Sequence, residues 1–334
     1  MRRLVLGGLL LLVSAYGLWV LETRRPVRHM EDPPQTLVVE EGWGVQEIGN
    51  ELRRSGLVRH AAIFRALVVL RGQSRRLRAG EYSLEGSLSL EQILGKLARG
   101  EVVHRRIVFP EGADIQEMAE IASRQGLHRP VFLAAVGDPA AIRDLDPQAT
   151  DLEGYLFPDS YELTRSPDAA TRLVRRMVQR SREVLATEQA QLPERRFGVR
   201  ELVTLASIVE KETGLAEERP RIAAVFLNRL ERRMPLQTDP TVIFALRKAG
   251  TYNGNVRRED LEIDSPYNTY RHAGLPPGPI ASPGLESLRA VLHPVASREL
   301  YFVSRNDGSH QFSESLAEHE RAVTRYQRLR RGGE

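Results

Sequence analysis

The stretch VRELVTLASIVEKETG, residues 199–214, has the apolar spacing of an amphipathic helix and ends in two glutamates separated by one lysine. At about 100° per residue, four apolar side chains share one face of this helix: Leu202, Leu205, Ile208 and Val209. Glu212 projects between Leu205 and Ile208, whereas Lys211 projects away from that face. We therefore expect the Glu212 carboxyl to point towards the protein interior.

A carboxyl group in that position loses hydration, which disfavours its charged form and raises its pKa. A raised pKa would make Glu212 a general acid near neutral pH. The alternative is a buried ion pair with one of three nearby arginines, Arg219, Arg221 and Arg229. Glu210, on the flank of the face, could orient a substrate or could hold Lys211 and these arginines. The helix alone leaves both alternatives open.

Two loops downstream combine polar and aromatic residues. They are MPLQTDPT, residues 234–241, and SPYNTYRHAGLPPGPIASPG, residues 265–284. Long ordered loops are usually functional, and tyrosine, asparagine, glutamine and threonine suit the C–H faces and hydroxyls of sugars. The candidates for substrate contact, beside Glu210, are Gln237, Thr238, Asp239, Tyr267, Asn268, Thr269 and Tyr270. Asp239 has a structural alternative, as the N-cap of a helix whose first residue is Pro240.

Several function classes lack their signatures. The sequence contains no GxxxxGKS/T or GxGxxG phosphate loop, no HExxH metal motif and no GxSxG nucleophile motif. It has no cysteine, so disulfides and thiolate metal sites are excluded. The net charge of +4 comes from arginines spread along helices rather than from one aromatic-interleaved patch, so nucleic acid is not an expected partner. We predict no metal and no cofactor.

The N-terminus predicts a membrane anchor. Residues 4–21 form an uncharged run after Arg2 and Arg3, at the lower limit of length for a transmembrane helix. A cleaved signal peptide is the alternative, but no small-x-small cleavage site follows the run. The two arginines would stay in the cytoplasm, which would place the bulk of the chain on the extracytoplasmic side of the cytoplasmic (inner) membrane.

An internal repeat and the changes in composition divide the rest of the chain. VVEEGWGVQEIGNELRRSGL from Val38 aligns with IVFPEGADIQEMAEIASRQGL from Ile107, and each copy predicts a strand, a Glu-Gly turn and a helix. A hairpin is predicted around Asn306-Asp307-Gly308. The fold class is therefore α+β. The predicted divisions are an anchor at 1–22, a linker at 23–35, a repeat domain at 36–130, a connector with a long helix at 131–198 and a final domain at 199–334.

Several segments together resemble one known family. They are LASIVEKET, AAVFLNRL, MPLQTDPTVI, YNG at 252–254, the whole loop at 265–284, and LYFV followed by HQFS. In this order they resemble the MltG (YceG-like) endolytic murein transglycosylases, anchored inner-membrane enzymes that cut the glycan strands of nascent peptidoglycan. The resemblance implies a LysM-like fold for residues 36–130. It also implies that the catalytic acid is the second glutamate of the EKE motif, which is Glu212.

The reaction implied by this resemblance is cleavage of the β-1,4 bond between N-acetylmuramic acid (MurNAc) and N-acetylglucosamine (GlcNAc), leaving 1,6-anhydroMurNAc ends. Glu212 would act first as acid and then as base. The implied partners are glycan strands and, among proteins, peptidoglycan synthases with elongation or division proteins. Two alternatives stay open: a non-catalytic, membrane-tethered peptidoglycan-binding module, and a lysozyme-type hydrolase that uses water with Asp239 as second carboxylate.

Overall fold

The computed structural model describes residues 14, 16–27, 31, 33–103, 105–163, 168–190 and 197–328. The described chain is a mixed α+β protein with short strands and many helices. It folds as two compact units, one within residues 1–106 and 162–169 and the other within residues 107–161 and 170–334.

The first unit is built on a two-stranded antiparallel sheet in which Leu37 lies opposite Tyr82. Its elements are β1 (Gln35–Val39), α1 (Val45–Arg54), α2 (Ala61–Leu70), β2 (Gly80–Leu84) and α3 (Leu90–Arg99). The Ser89 hydroxyl caps α3 by accepting a hydrogen bond from the Gln92 amide at 3.3 Å. Buried apolar side chains from all five elements form one core, and each stabilises the unit by about 1.5 to 3 kcal/mol.

The predicted anchor at 4–21 lies largely outside the described residues. Residues 16–24 are helical, and the Trp19 side chain packs against the core of the first unit. Among the residues that the structure describes, no helix combines the length and the apolar character needed to cross a bilayer.

Both copies of the repeat have the same local structure. A strand, a glycine with positive φ and a helix follow one another in each, and the glycines are Gly42 at 86° and Gly112 at 74°. Glycine fits these turns because a side chain is strained in that region. The second copy, predicted within one domain with the first, lies in the second unit. Backbone hydrogen bonds hold it there, since Gly112 N donates to Ser282 O at 2.8 Å and Ser282 N donates to Ala113 O at 3.0 Å.

The remaining strands pair as β3 with β4 and as β5 with β6. The elements in order are β3 (Arg105–Val108), α4 (Ile115–Arg124), α5 (Arg129–Val136), β4 (Ser160–Leu163), α6 (Ala169–Ala190), α7 (Val199–Glu212), α8 (Arg219–Glu231), α9 (Asp239–Ala249), α10 (Leu285–Leu292), β5 (Tyr301–Ser304), β6 (His310–Ser313) and α11 (Leu316–Val323). β5 and β6 form the hairpin predicted around Asn306-Asp307-Gly308.

Helix α7 lies at the centre of the second unit. Every residue from 202 to 209 is buried, and α8, α9 and α10 pack around the helix. The loop at 265–284 contains no helix or strand and is held close to α7 through Gly154. A Cβ on Gly154 would lie 2.4 Å from Pro279 and 2.9 Å from Val203, so no other residue fits between the loop and the helix. The loop reaches the polar end of α7 at Gly284, whose amide donates a hydrogen bond to Glu210 Oε2 at 2.9 Å.

Candidate active site

Glu212 is the last residue of helix α7. The helix begins after Gly198, whose amide donates to the Glu201 carboxylate at 3.1 Å, and it ends when Thr213 turns to an extended conformation. The apolar face predicted from the sequence is buried, and Glu212, on the same face but at the end of the helix, is only partly exposed. The end of the helix thus places one carboxyl at the margin of the core.

The Glu212 carboxyl is bound through one oxygen. Thr238 Oγ1 donates a hydrogen bond to Glu212 Oε1, and Glu212 Oε2 makes no hydrogen bond with the described residues. Burial is the main cause that raises the pKa of Glu212 to about 7, and the charge of Asp239 adds to it. The Thr238 hydrogen bond and the positive charges of His310 and Arg229 oppose this rise. A carboxyl with this pKa can both give and take a proton near neutral pH.

The loop that carries Thr238 is fixed from behind by Thr269. Thr269 O accepts from Gln237 N at 3.2 Å, and Thr269 Oγ1 accepts from Thr238 N at 3.1 Å. Arg229 Nη1 donates to Leu236 O at 2.7 Å. Gln237, with φ of 50°, is left exposed next to the buried Thr238. The loop therefore presents the Thr238 hydroxyl to Glu212 and the Gln237 side chain to solvent.

Asn268 and Thr269 lie behind the site rather than at its surface. Their exposed fractions are 0% and 1%. The Asn268 side-chain amide donates to Leu261 O at 2.8 Å and to Ile263 O at 2.9 Å, and its oxygen accepts from Tyr270 N at 3.0 Å. Both side chains shape the loops instead of offering polar groups to a ligand.

Asp239 and Tyr270 form a pair beside Glu212. The Tyr270 hydroxyl donates to Asp239 Oδ1 at 2.6 Å, and burial together with this hydrogen bond raises the pKa of Tyr270. The prediction that Asp239 is the N-cap of the following helix is wrong by one position, because Thr238 occupies the cap and α9 begins at Asp239. The side chain of Asp239 is exposed and bound to Tyr270, so it does not cap the helix.

Tyr267 and Glu210 point away from Glu212. The Tyr267 ring lies 4.9 Å from that of Phe244, centroid to centroid, and burial raises the pKa of Tyr267. Glu210 accepts from Arg219 Nη2 at 3.0 Å and from Gly284 N at 2.9 Å, and 5% of its side chain is exposed. The arrangement matches the ion-pair alternative for Glu210, which ties α7 to α8 and to the start of α10.

His310 and Glu218 are site residues that the sequence interpretation did not select. His310 Nδ1 lies 2.6 Å from Glu218 Oε2, and His310 N donates to Glu218 Oε1 at 2.8 Å. The two residues are 92 positions apart, so no local pattern could join them. His310 belongs to HQFS, one of the segments that resemble the family, and this is the sequence feature that could have identified it as a site residue. No group of three His, Asp or Glu side chains within the described ranges is placed to hold a metal.

Comparison with known proteins places this chain among named relatives. The sequence pattern of the YceG-like family matches residues 37–325. A protein named endolytic murein transglycosylase from Bacillus subtilis strain 168 is 33% identical over 339 residues, which cover 97% of this chain and 91% of that protein. The same name is given to a Streptococcus pneumoniae D39 protein, 32% identical, of which 63% is covered. The crystal structure of a yceG-like protein from Listeria monocytogenes is similar, with a TM-score of 0.59, 32% identity, and coverage of 87% of this chain and 100% of that one.

Proposed function

The chain belongs to the YceG-like family, and we propose that it is a lytic transglycosylase of peptidoglycan in which Glu212 is the acid and then the base. One observation carries the assignment of Glu212. The Glu212 carboxyl lies at the end of a buried helix face and accepts a hydrogen bond from Thr238 at Oε1. The pKa of Glu212 in this position is raised to about 7. The names of the relatives support the substrate and the reaction class.

The proposed reaction balances with one carboxyl. Protonated Glu212 gives its proton to the glycosidic oxygen while the bond from MurNAc C1 to that oxygen breaks, which releases the 4-hydroxyl of GlcNAc. The C6 hydroxyl of MurNAc then forms a bond to C1, and its proton passes to the Glu212 carboxylate. The acid is restored, and the product carries a 1,6-anhydro ring. The 2-acetamido group would stabilise the oxocarbenium-like state, so a second strong acid is not required.

The neighbours of Glu212 have separate parts in this scheme. Thr238 engages Oε1, which leaves Oε2 to carry the transferred proton. Arg229 supplies positive charge near the carboxylate formed after the first step. Gln237, exposed beside Thr238, is the residue of this loop that can reach a sugar. Asn268 and Thr269 would act by holding the loops in place.

A second candidate is a hydrolase that uses water. The charge of Asp239 acts on Glu212, so two carboxyl groups stand near each other, as in ordinary glycosidases. In that scheme Asp239 would activate water or form a bond to C1, and the product would have a reducing end. The hydrogen bond from Tyr270 already engages Asp239 Oδ1, which favours the first scheme.

Membrane attachment and location remain proposals based on the sequence. The uncharged run at 4–21 supports a single anchor with the catalytic unit on the extracytoplasmic side, where nascent peptidoglycan lies. The family resemblance supports peptidoglycan synthases and elongation or division proteins as partners. A LysM-like role for the first unit is part of the same proposal.

The test is mass spectrometry of the fragments that the full chain, in detergent, releases from nascent uncrosslinked peptidoglycan. We expect 1,6-anhydroMurNAc ends, and a rate about 10² to 10⁴ times lower for Glu212→Gln. Glu217→Gln, which changes an exposed glutamate five residues further along, is the matched control and should keep the wild-type rate. Reducing ends would establish the hydrolase. Glycan binding without product from the wild type would favour the non-catalytic module.

A further inference from the structure

A groove of about 1090 Å³ opens in the second unit beside the candidate active site. Its walls come from α4, α5, α9 and the loop at 151–153, and none of the residues assigned above to the Glu212 site lines it. Lys211 does line it. Because successive side chains of a helix project about 100° apart, Lys211 faces this groove while Glu212 faces Thr238. The two sites thus share the end of α7.

One wall of the groove contains a buried carboxyl with an unsatisfied oxygen. Glu153 is 9% exposed, and its Oε2 accepts a hydrogen bond from Ile115 N at 3.1 Å. Its Oε1 is buried and has no hydrogen-bond partner among the described residues. Burial first, then the charges of Asp114 and Asp151, raise the pKa of Glu153 to about 8, so the group is mostly a neutral acid at pH 7. A buried polar atom without a partner is costly, and a bound ligand would satisfy it.

The groove also carries charges of both signs that are not neutralised. Arg247 is paired, at 2.9 Å from Asp114 and 2.5 Å from Glu117. Lys248 is different: its ammonium lies 5.8 Å from the Phe244 ring centre and 5.5 Å from that of Tyr267, and it makes no ion pair within the described part of the chain.

The groove also contains a carboxylate without an ion pair among the described residues. Asp151 lines the groove and accepts a hydrogen bond from Glu153 N at 3.0 Å, again without an ion pair to any described residue. Apolar side chains, Leu133 and Phe244 among them, complete the wall. Lys211, which also lines the groove, donates to the Gly112 carbonyl oxygen at 3.0 Å. Beside it, the described residues of the groove offer the cation of Lys248, the anion of Asp151, the uncharged hydrogen-bonding group of Glu153 and an apolar surface.

This combination fits a short peptide better than a sugar chain. GlcNAc units are uncharged and would leave Lys248 and Asp151 without partners. The stem peptides that branch from MurNAc carry carboxylates, a free amine and amide groups. We propose that the groove binds the stem peptide of the glycan strand, with Lys248 contacting a peptide carboxylate, Asp151 the amine and Glu153 a backbone amide group. The inference rests on the proposed function, because it assumes that peptidoglycan is the substrate.

Binding is tested first, in the Glu212→Gln background so that no turnover occurs. The probe is the synthetic peptide L-Ala-γ-D-Glu-L-Lys-D-Ala-D-Ala, titrated calorimetrically into the full chain in detergent, beside the same peptide with its carboxylates amidated. We expect the acid form to bind at least tenfold more tightly than the amidated form. Lys248→Met should remove that difference, whereas Lys96→Met, in the other unit, should preserve it. Equal binding of both peptides, or no binding, would overturn the proposal.

Glu153 is tested by two nearly isosteric substitutions. Glu153→Gln keeps a hydrogen-bond donor and should retain peptide binding within about threefold, whereas Glu153→Met removes all polar atoms and should weaken it about tenfold. Thermal unfolding of both variants shows whether each is folded. If Glu153→Met is folded and binds as tightly as Glu153→Gln, the assignment of this carboxyl is wrong.

Turnover is tested with otherwise wild-type chain on glycan strands that carry peptides and on strands from which an amidase has removed them. We expect peptide-bearing strands to be cleaved at least tenfold faster, and Lys248→Met to bring the ratio of the two rates close to one. A ratio near one in the wild type would overturn the peptide site while leaving Glu212 catalysis intact. Peptide binding without cleavage of either strand would instead reject the proposed function and keep the groove assignment.

Discussion

The last turn of α7 carries two glutamates, Glu210 and Glu212, that face opposite sides of the helix and have different hydrogen-bond partners. On one side, Glu210 is bound by the Arg219 guanidinium and by the Gly284 amide, so each of its oxygens has a donor. On the other side, Glu212 is bound at one oxygen by the Thr238 hydroxyl and lies in the field of the Asp239 carboxylate. The glutamates are two residues apart, and their partners decide which is a structural tie and which is available for chemistry.

The difference follows from the charge of the donors. A cation and a backbone N–H compensate a buried carboxylate for its lost water, which makes Glu210 a fixed link between helices. A neutral hydroxyl compensates less, so burial dominates at Glu212 and its pKa rises to about 7. Removing the two side chains should therefore affect different properties of the protein.

The largest expected effect on folding is at Glu210. Glu210→Ala leaves Arg219, which is 8% exposed, as a buried cation without its closest partner. We expect the free energy of unfolding of the second unit to fall by about 3 to 5 kcal/mol. Urea titration with hydrogen–deuterium exchange of peptides from α7 would measure it. Glu217→Ala is the exposed control. A change below about 1 kcal/mol for Glu210→Ala would contradict the structural role of the pair.

The second prediction is that replacing Glu212 raises the free energy of unfolding, whereas replacing Glu210 lowers it. In the unfolded chain this carboxyl ionises above about 4.5, whereas in the folded protein it stays protonated up to about 7. The folded state therefore loses stability relative to the unfolded state as pH rises through that window. Glu212→Gln removes this loss and should be more stable than wild type at pH 8 by up to about 3 kcal/mol, since one pKa unit is worth about 1.4 kcal/mol.

At pH 4 the Glu212→Gln variant and the wild type should unfold at the same urea concentration, because Glu212 is then protonated in both states. Circular dichroism of urea unfolding at pH 4, 6 and 8 would show whether the gap opens in between. If the difference in stability between Glu212→Gln and wild type did not change with pH, burial would not control the ionisation of Glu212. The proposed difference between Glu210 and Glu212 would then be wrong.

Local patterns predicted much of the fold because they depend on neighbours in the chain. The apolar period of residues 199–214 predicts α7 and the inward direction of Glu212, and the structure has the helix at Val199–Glu212. The Asn306-Asp307-Gly308 turn likewise acts over a few residues, and the predicted hairpin is present. Mixed α+β structure follows from these elements together.

The parts that could not be predicted depend on contacts between distant segments. Asn268 and Thr269 have the same chemistry whether they face solvent or backbone, and only the packed loops show that they are buried. The pair of His310 with Glu218 joins residues 92 positions apart. Glu153 stands in a segment, DLEGYLF, that gives no sign of a buried acid, since its burial comes from the start of α4.

The smallest predicted effect is the change in the pKa of Glu212 when Thr238 or Asp239 is replaced. The Thr238 hydrogen bond lowers the pKa of Glu212 and the Asp239 charge raises it. Activity in the proposed scheme requires protonated Glu212, so it should decline as pH rises through that pKa. Thr238→Val should move this decline to higher pH by about one unit, because a hydrogen bond to a charged group is worth about 1.5 to 3 kcal/mol.

Asp239→Asn should change the pKa of Glu212 in the opposite direction to Thr238→Val. It removes the negative charge near Glu212 while keeping the shape of the side chain, so the decline in kcat/KM should move to lower pH, by less than Thr238→Val moves it upward. Rates of anhydro-end formation between pH 5 and 9 would show both shifts. If Asp239→Asn instead abolished turnover at every pH, Asp239 would be a reacting group, and the two-carboxylate hydrolase would replace the single-acid scheme.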